Sequence, residues 1–343
     1  MKIKVLLTTF VSAFYMLHSA WGQGALTPPG APAPTMKTLA QIEARTPIST
    51  APFTITASGS YYLTANLTIN SGNAITVSAN NVTLDLNGFT LFSTETTAAN
   101  SLGILLNSVT NITILHGFIS GGVTNNGGTF SGNGFSFGIY DFGGASANTR
   151  VSGVSVSGCL DSGIYLPFNN AAVESCTATT VGGYGIIAQS ISDSTAQNCG
   201  VTAIYSYGSA NNCAGACIGS GDGIDANLAN NCSGTSANSG IGILANIATG
   251  CYGESDAGNG YGIYAYTVSN CTGYNNGGGD GIYGISIATG CYGYSISGIV
   301  INTYNAAFCT GSCPEGTAIE AYIANGCVAG SGMNSIHFTY NMP

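Results

Sequence analysis

Two aspartates in the run SGDGIDAN, Asp222 and Asp225, form a local carboxylate pair in this 343-residue chain. Paired carboxylates hydrolyse glycosidic bonds, one as general acid and the other as base or nucleophile, when they stand about 5–9.5 Å apart. Asp141 and Asp161 are a second pair to weigh, and His116 and His337 are the histidines that remain beyond the N-terminal segment. The twelve cysteines could form disulfides, bind a soft metal or be buried as small apolar groups. Tyrosine, present 19 times, offers flat rings with a polar tip, suited to contact with sugars.

A repeat positions these residues. Cys213, Cys232, Cys251, Cys271, Cys291, Cys309 and Cys327 are spaced 19, 19, 20, 20, 18 and 18 residues apart, and GILANIATGC recurs as GIYAYTVSNC and AIEAYIANGC. A fixed period of this size makes each repeat one turn of a stack, unable to bury its apolar face alone. Isoleucines set the phase: Ile139, Ile164, Ile186, Ile204, Ile224, Ile243, Ile263, Ile282, Ile299, Ile319 and Ile336 mark successive turns. An inward isoleucine sends the next residue outward and the one after it inward. That inward partner is small (Ala188, Ala226, Ala245, Ala265, Ala321), and a second inward position is expected at Leu228, Ile247, Val268 and Ile323. Gly and Asn suit the corners because they accept left-handed backbone. The expected fold is all-β, a right-handed single-stranded parallel β-helix of about 20-residue, three-sided coils.

The N-terminus reads differently. Residues 1–22 have Lys2 and Lys4 before an apolar run and small residues at Ala20 and Gly22, the pattern of a secretory signal peptide and too short to span a bilayer. Residues 23–34 are a Pro-rich linker, and residues 35–45 form a short helix with Thr35 as N-cap, placed to cover the first coil. Residues 46–343 are one β-helix domain, closed at its far end by Ile336, Phe338 and Tyr340.

Composition excludes several partners. Only 6% of residues are charged, the net charge is −9, and no lysine or arginine follows Arg150. Nucleic acid needs basic residues to neutralise phosphates, and an anionic membrane surface needs them equally, so neither is a partner. The oligomeric state is not legible.

The repeat also constrains the chemistry. Asp222 and Asp280 share one column, each two residues before a marker isoleucine, but three rungs separate them, about 14 Å. Asp225 and Glu320 share the next column, five rungs apart. Asp222 with Asp225 is the weak catalytic candidate, set against two corner carboxylates in water. The runs GSGDGID and NGGGDG resemble Gly-Asp calcium repeats, but that device needs a nine-residue period, so no cofactor is expected and calcium is the weaker reading. The cysteines are expected as a mostly reduced, buried column, with local bridges possible at Cys213/Cys217 and Cys309/Cys313. The outward position after each marker holds Tyr140, Tyr165, Tyr264 and Tyr283, candidates for contact with a glycan unless they simply stack on their own copies.

The segment ITVSANNVTLDLNGFTL, followed by GILLNSVTNITILHGFISGG, resembles the opening coils of secreted bacterial right-handed parallel β-helix proteins of the pectate-lyase-like superfamily. The preceding TPPGAPAPTMKTLAQIEARTPI is similar to the leader of a subgroup generally without an assigned activity. The resemblance covers residues 25–125 and implies the fold. Lyase chemistry in that superfamily uses an Arg or Lys base beside calcium-binding carboxylates, which the repeat body does not supply; its hydrolases use a carboxylate pair with His and a basic residue. Two functions are therefore expected to compete. One is a secreted, non-catalytic β-helix, structural or glycan-binding, at the cell envelope or in the extracellular matrix. The other is a hydrolase acting on a neutral polysaccharide.

Overall fold

The computed structural model describes residues 44–330, except 99, 100, 144, 145, 169 and 257, together with the backbone of residues 337–341. The chain divides into residues 1–44 and residues 45–343. The expected signal peptide, the linker, the helix up to residue 43 and Ile336 lie outside the described residues.

The second unit is a parallel β-solenoid, as the repeat and the resemblance implied. One coil shows the plan. Ile243–Thr249 is a strand, and Tyr252–Ser255 follows after a corner. Each pairs in parallel with its copy in the coils before and after, so that Ile224, Ile243, Ile263 and Ile282 lie in one line. The line carrying the isoleucines has fourteen rungs, from Phe53–Ile55 to His337–Asn341. At the sheet spacing of about 4.8 Å, thirteen steps extend roughly 62 Å. An antiparallel hairpin, Gly122–Asn126 with Thr129–Asn133, is inserted between coils.

Two expectations about register need correction. Ile282 pairs with Ile301, not Ile299, so Ile301 is the marker and Asn302 takes the position after it; Val300 is wholly buried. The second inward position is not Leu228, Ile247 or Ile323. Leu228 and Ile247 are 41% and 42% exposed, Ile323 is half-buried, and the inward residues are Ala229, Ala248, Val268 and Ala324. The reason is local: Asn246 and Ile247 are both exposed, so the two-residue alternation loses phase there as the chain turns from one face to the next.

The interior narrows along the chain. Early coils fill it with Leu63, Leu84, Leu86 and Ile114, whereas later coils use alanine and cysteine. Glycine completes the later core: a Cβ at Gly253 would stand 2.1 Å from the carbonyl oxygen of Gly262, so opposite walls meet backbone to backbone. The corner preceding each column cysteine is left-handed, at Asn212, Asn231, Gly250, Asn270, Gly290, Phe308 and Gly326. Gly or Asn fills all but one of these, as the backbone sterics require.

The seven cysteines from Cys213 to Cys327 do form one column, joined by hydrogen bonds such as Tyr252 N to Cys232 O and Thr272 N to Cys251 O, both 2.8 Å. Their thiols also donate to carbonyl oxygens, Cys251 Sγ reaching Ala229 O and Thr249 O at 3.3 Å. The local bridges are overturned. All twelve cysteines are free. Cys217 aligns with Cys199 and Ser236, not with the Cys213 column, and Cys313 likewise lies past Thr310–Ser312, in line with Ser295. Four extended residues separate partners by about 13 Å, beyond disulfide reach.

Candidate functional site

The outward position after each marker and the outward position two residues later build one surface feature. Between these two columns runs an open groove made of two shallow pockets that share Ile285. The first has a volume of about 260 Å³ and is lined by Asp225, Asn227, Leu244, Asn246, Tyr264 and Tyr266. The second, of about 350 Å³, is lined by Tyr283, Asn302, Tyr304, Glu320 and Tyr322. The floor is Ala226, Ala245, Gly284, Thr303 and Ala321, the inward position between the columns. Because that position is held by small side chains, the walls stand clear of it. Five rungs separate Asp225 from Glu320, so the groove runs about 24 Å along the stack.

Tyr264 and Tyr283 lie in the groove wall as expected, but they face one another: their rings are parallel within 6° at 5.0 Å, with Tyr261 closing on both at 5.4 and 5.6 Å. Ring faces spent on a neighbour offer a ligand edges and hydroxyls rather than platforms. Tyr304 and Tyr322 stack similarly, at 4.8 Å and 12°. Tyr140 and Tyr165 sit on consecutive rungs nearer the N-terminus, 5.5 Å apart and tilted by 30°, packed against Phe137. They belong to an aromatic cluster outside the groove. The outer column was missed by sequence reasoning: Tyr266, Tyr304 and Tyr322 are 57%, 52% and 46% exposed. Its signal was the repeated YAY, NTY and EAY, two outward residues flanking a small inward one. Tyr266 has no ring partner among the described residues and is the free platform.

The carboxylates divide by role. Asp222 accepts the Ile241 backbone N–H at 2.8 Å, and Asp280 accepts that of Ile299 at 3.1 Å and the Asn302 amide at 3.3 Å. Each therefore ties its own rung to the next, which identifies the shared column as structural rather than as corners in water. Burial raises both above the usual carboxylate range. Asp225 differs: it accepts no hydrogen bond among the described residues, and burial, then the charge of Asp222, push it up to about 6. Asp222 and Asp225 are thus brought together electrostatically, though Asp222 is committed to the backbone. Asp141 is buried beside Ser146 at 2.5 Å and is pushed up to about 6 by burial. Asp161 is exposed and aligns with Ser136, five residues from Asp141 along the strand, so these two do not meet.

Among the described residues, no three His, Cys, Asp or Glu side chains converge as metal ligands, and no helix is long and apolar enough to cross a membrane. His116 lies 3.6 Å from Asp85 in an early coil, far from the groove in the stack.

No protein-family model matches the chain, and no curated protein does. Among solved structures it is similar to a double mutant of the tailspike protein of E. coli bacteriophage HK620, at 10% identity and a TM-score of 0.37, covering 82% of this chain and 72% of that one. It is similar to the Dettilon tailspike protein at 15% identity and a TM-score of 0.33, covering 86% of this chain and 61% of that one. A polygalacturonase from Erwinia carotovora ssp. carotovora matches at 11% identity and a TM-score of 0.33, over 85% of this chain and 96% of that one.

Proposed function

We propose that this chain is a secreted, non-catalytic β-helix protein that holds a glycan in its groove at the cell envelope or in the extracellular matrix. One observation carries this reading: a groove some five rungs long, open because its floor is small, walled by tyrosines and amides, and containing no closely spaced pair of free carboxylates. Tyrosine supplies apolar area with a polar tip at low entropic cost, and Asn227, Asn246 and Asn302, whose amides each donate one hydrogen bond within the protein, keep a second N–H for hydroxyls. Secretion follows from the N-terminal pattern of residues 1–22.

Retention of the purified chain on an array of polysaccharides tests the proposal. Tyr266→Ala should weaken retention by about tenfold, the usual cost of removing a central aromatic anchor, with the melting profile unchanged. Equal retention of the variant would sink the groove as the site.

A hydrolase acting on a neutral glycan is favoured by one feature, the half-buried Asp225 poised near pH 6 at the groove's end. Its partner would have to be Asp222, which is engaged by Ile241. Release of reducing ends by the full chain, abolished by Asp225→Asn, would replace the binding proposal with this one.

A further inference from the structure

The groove's polar groups are unevenly signed. Asp225 stands in its inner wall at one end and Glu320 in the same wall at the other, while residues 151–343 contain no lysine or arginine that could offset either. Facing Glu320 across the floor the outer wall carries Tyr322, with Tyr304 one rung away, whereas Asp225 faces Asn227 and the nearest outer-wall tyrosine, Tyr266, is two rungs off, about 10 Å along the stack. Each end of the groove thus holds one acid, with an exposed tyrosine within about two rungs of it. Asp280, engaged under Asn302, adds a third negative group below the second pocket. A carboxylate without a hydrogen-bond partner and an exposed phenol face are both complementary to an ammonium group and neither is complementary to an acid.

From this we infer that the ligand is a positively charged amino-sugar polymer, a glycan of de-acetylated hexosamines, with amines seated at Asp225 and Glu320, a sugar ring against Tyr266 and sugar hydroxyls at the edges of the stacked Tyr304 and Tyr322. This deepens the proposed function and rests on it. A lysine-rich peptide would share the charge but not the fit. Extended peptides bind by adding a strand to a free sheet edge, and every strand beneath the groove is already paired on both sides. The protein's net charge of −9 would also steer a polycation toward it.

The test is calorimetric titration of the full chain with three probes of equal length: an oligomer of N-acetylglucosamine, the same oligomer de-acetylated and N-trimethylated so that its charge is independent of pH, and oligolysine. The trimethylated sugar should bind roughly tenfold more tightly than the acetylated one through ion-pair and cation–π attraction alone, since a quaternary ammonium donates no hydrogen bond. That preference should shrink with added salt and fall toward unity in Asp225→Asn/Glu320→Gln. Glu320→Gln alone, at an exposed site, should lose part of it without any effect on folding. Equal or tighter binding of the acetylated oligomer would overturn the amine while leaving the glycan reading intact. A preference that survives the double variant would overturn these two carboxylates as its source. Tighter binding of oligolysine would overturn the sugar, and no binding of either sugar would overturn the inference, while retention on the polysaccharide array decides the glycan reading beneath it.

Discussion

Three glycines of one coil separate the reasons this chain needs glycine, and replacing each with alanine has a different expected cost. Gly258 has open space around its missing Cβ and no left-handed backbone, so Gly258→Ala should be neutral or stabilising by about 0.4–1 kcal/mol through the unfolded chain. Gly250 has φ +64°, and its Cβ would meet only Asn231 Oδ1, the end of a side chain that can swing aside. Left-handed alanine costs about 1–2 kcal/mol, and the same entropic gain offsets part of it, leaving a net loss of about 1 kcal/mol. At Gly253 the obstacle is backbone: the Cβ would lie 2.1 Å from Gly262 O and 2.5 Å from Ile263 Cγ1. Neither can retreat without breaking a coil paired on both sides, so the loss should reach about 3 kcal/mol or more, the upper range for overpacking. Urea unfolding of the three variants, read at their midpoints, gives the order directly. If Gly253→Ala costs no more than Gly250→Ala, the opposed walls do not meet backbone to backbone and the account of the narrow core is wrong.

Other outcomes follow from single sites. Phe308 is the one bulky residue in the left-handed corner column, at φ 53° and 67% exposed; Phe308→Asn should stabilise by about 1 kcal/mol, read as a raised urea midpoint, since Asn fills the same corner at positions 212, 231 and 270. The raised pKa of Asp225, from 3.8 to about 6, means that the fold prefers the protonated form. Its stabilising contribution is complete below pH 3.8 and is lost as pH rises through about 6, roughly 1–2 kcal/mol after solvent screening. Thermal melts should therefore run higher near pH 4.5 than near pH 8, with a smaller difference in Asp225→Asn. Alkylation of the native chain should modify Cys327, the one half-buried cysteine, and spare the eleven buried thiols. Cys159, pushed up to about 12 by burial, should be inert; alkylation after unfolding without reductant should label all twelve. Fewer than twelve labels would mean that disulfides join the coils.

Much of this was legible before any coordinates. A constant interval between like residues forces like positions into register, so the period of cysteine and isoleucine dictated a parallel stack. Parity along a strand put Tyr264 and Tyr283 outside and together on neighbouring rungs. What the sequence could not carry was the phase lost at corners. Leu228 and Ile247 look inward by composition, yet the exposed doublets at Asn227–Leu228 and Asn246–Ile247 turn them to solvent. Ile299 and Ile301 look equivalent as markers, and only pairing with Ile282 chooses between them. The four-residue spacing of Cys213 and Cys217 looks like a bridge until an extended chain assigns them to different columns. The groove belongs wholly to tertiary structure. Its walls come from six successive coils, and it exists because the small residues between Leu244 and Asn246, and between Asn302 and Tyr304, leave the floor unfilled. A periodic sequence specifies which residues recur; which of them meet across a bend depends on backbone geometry that has no one-residue signature.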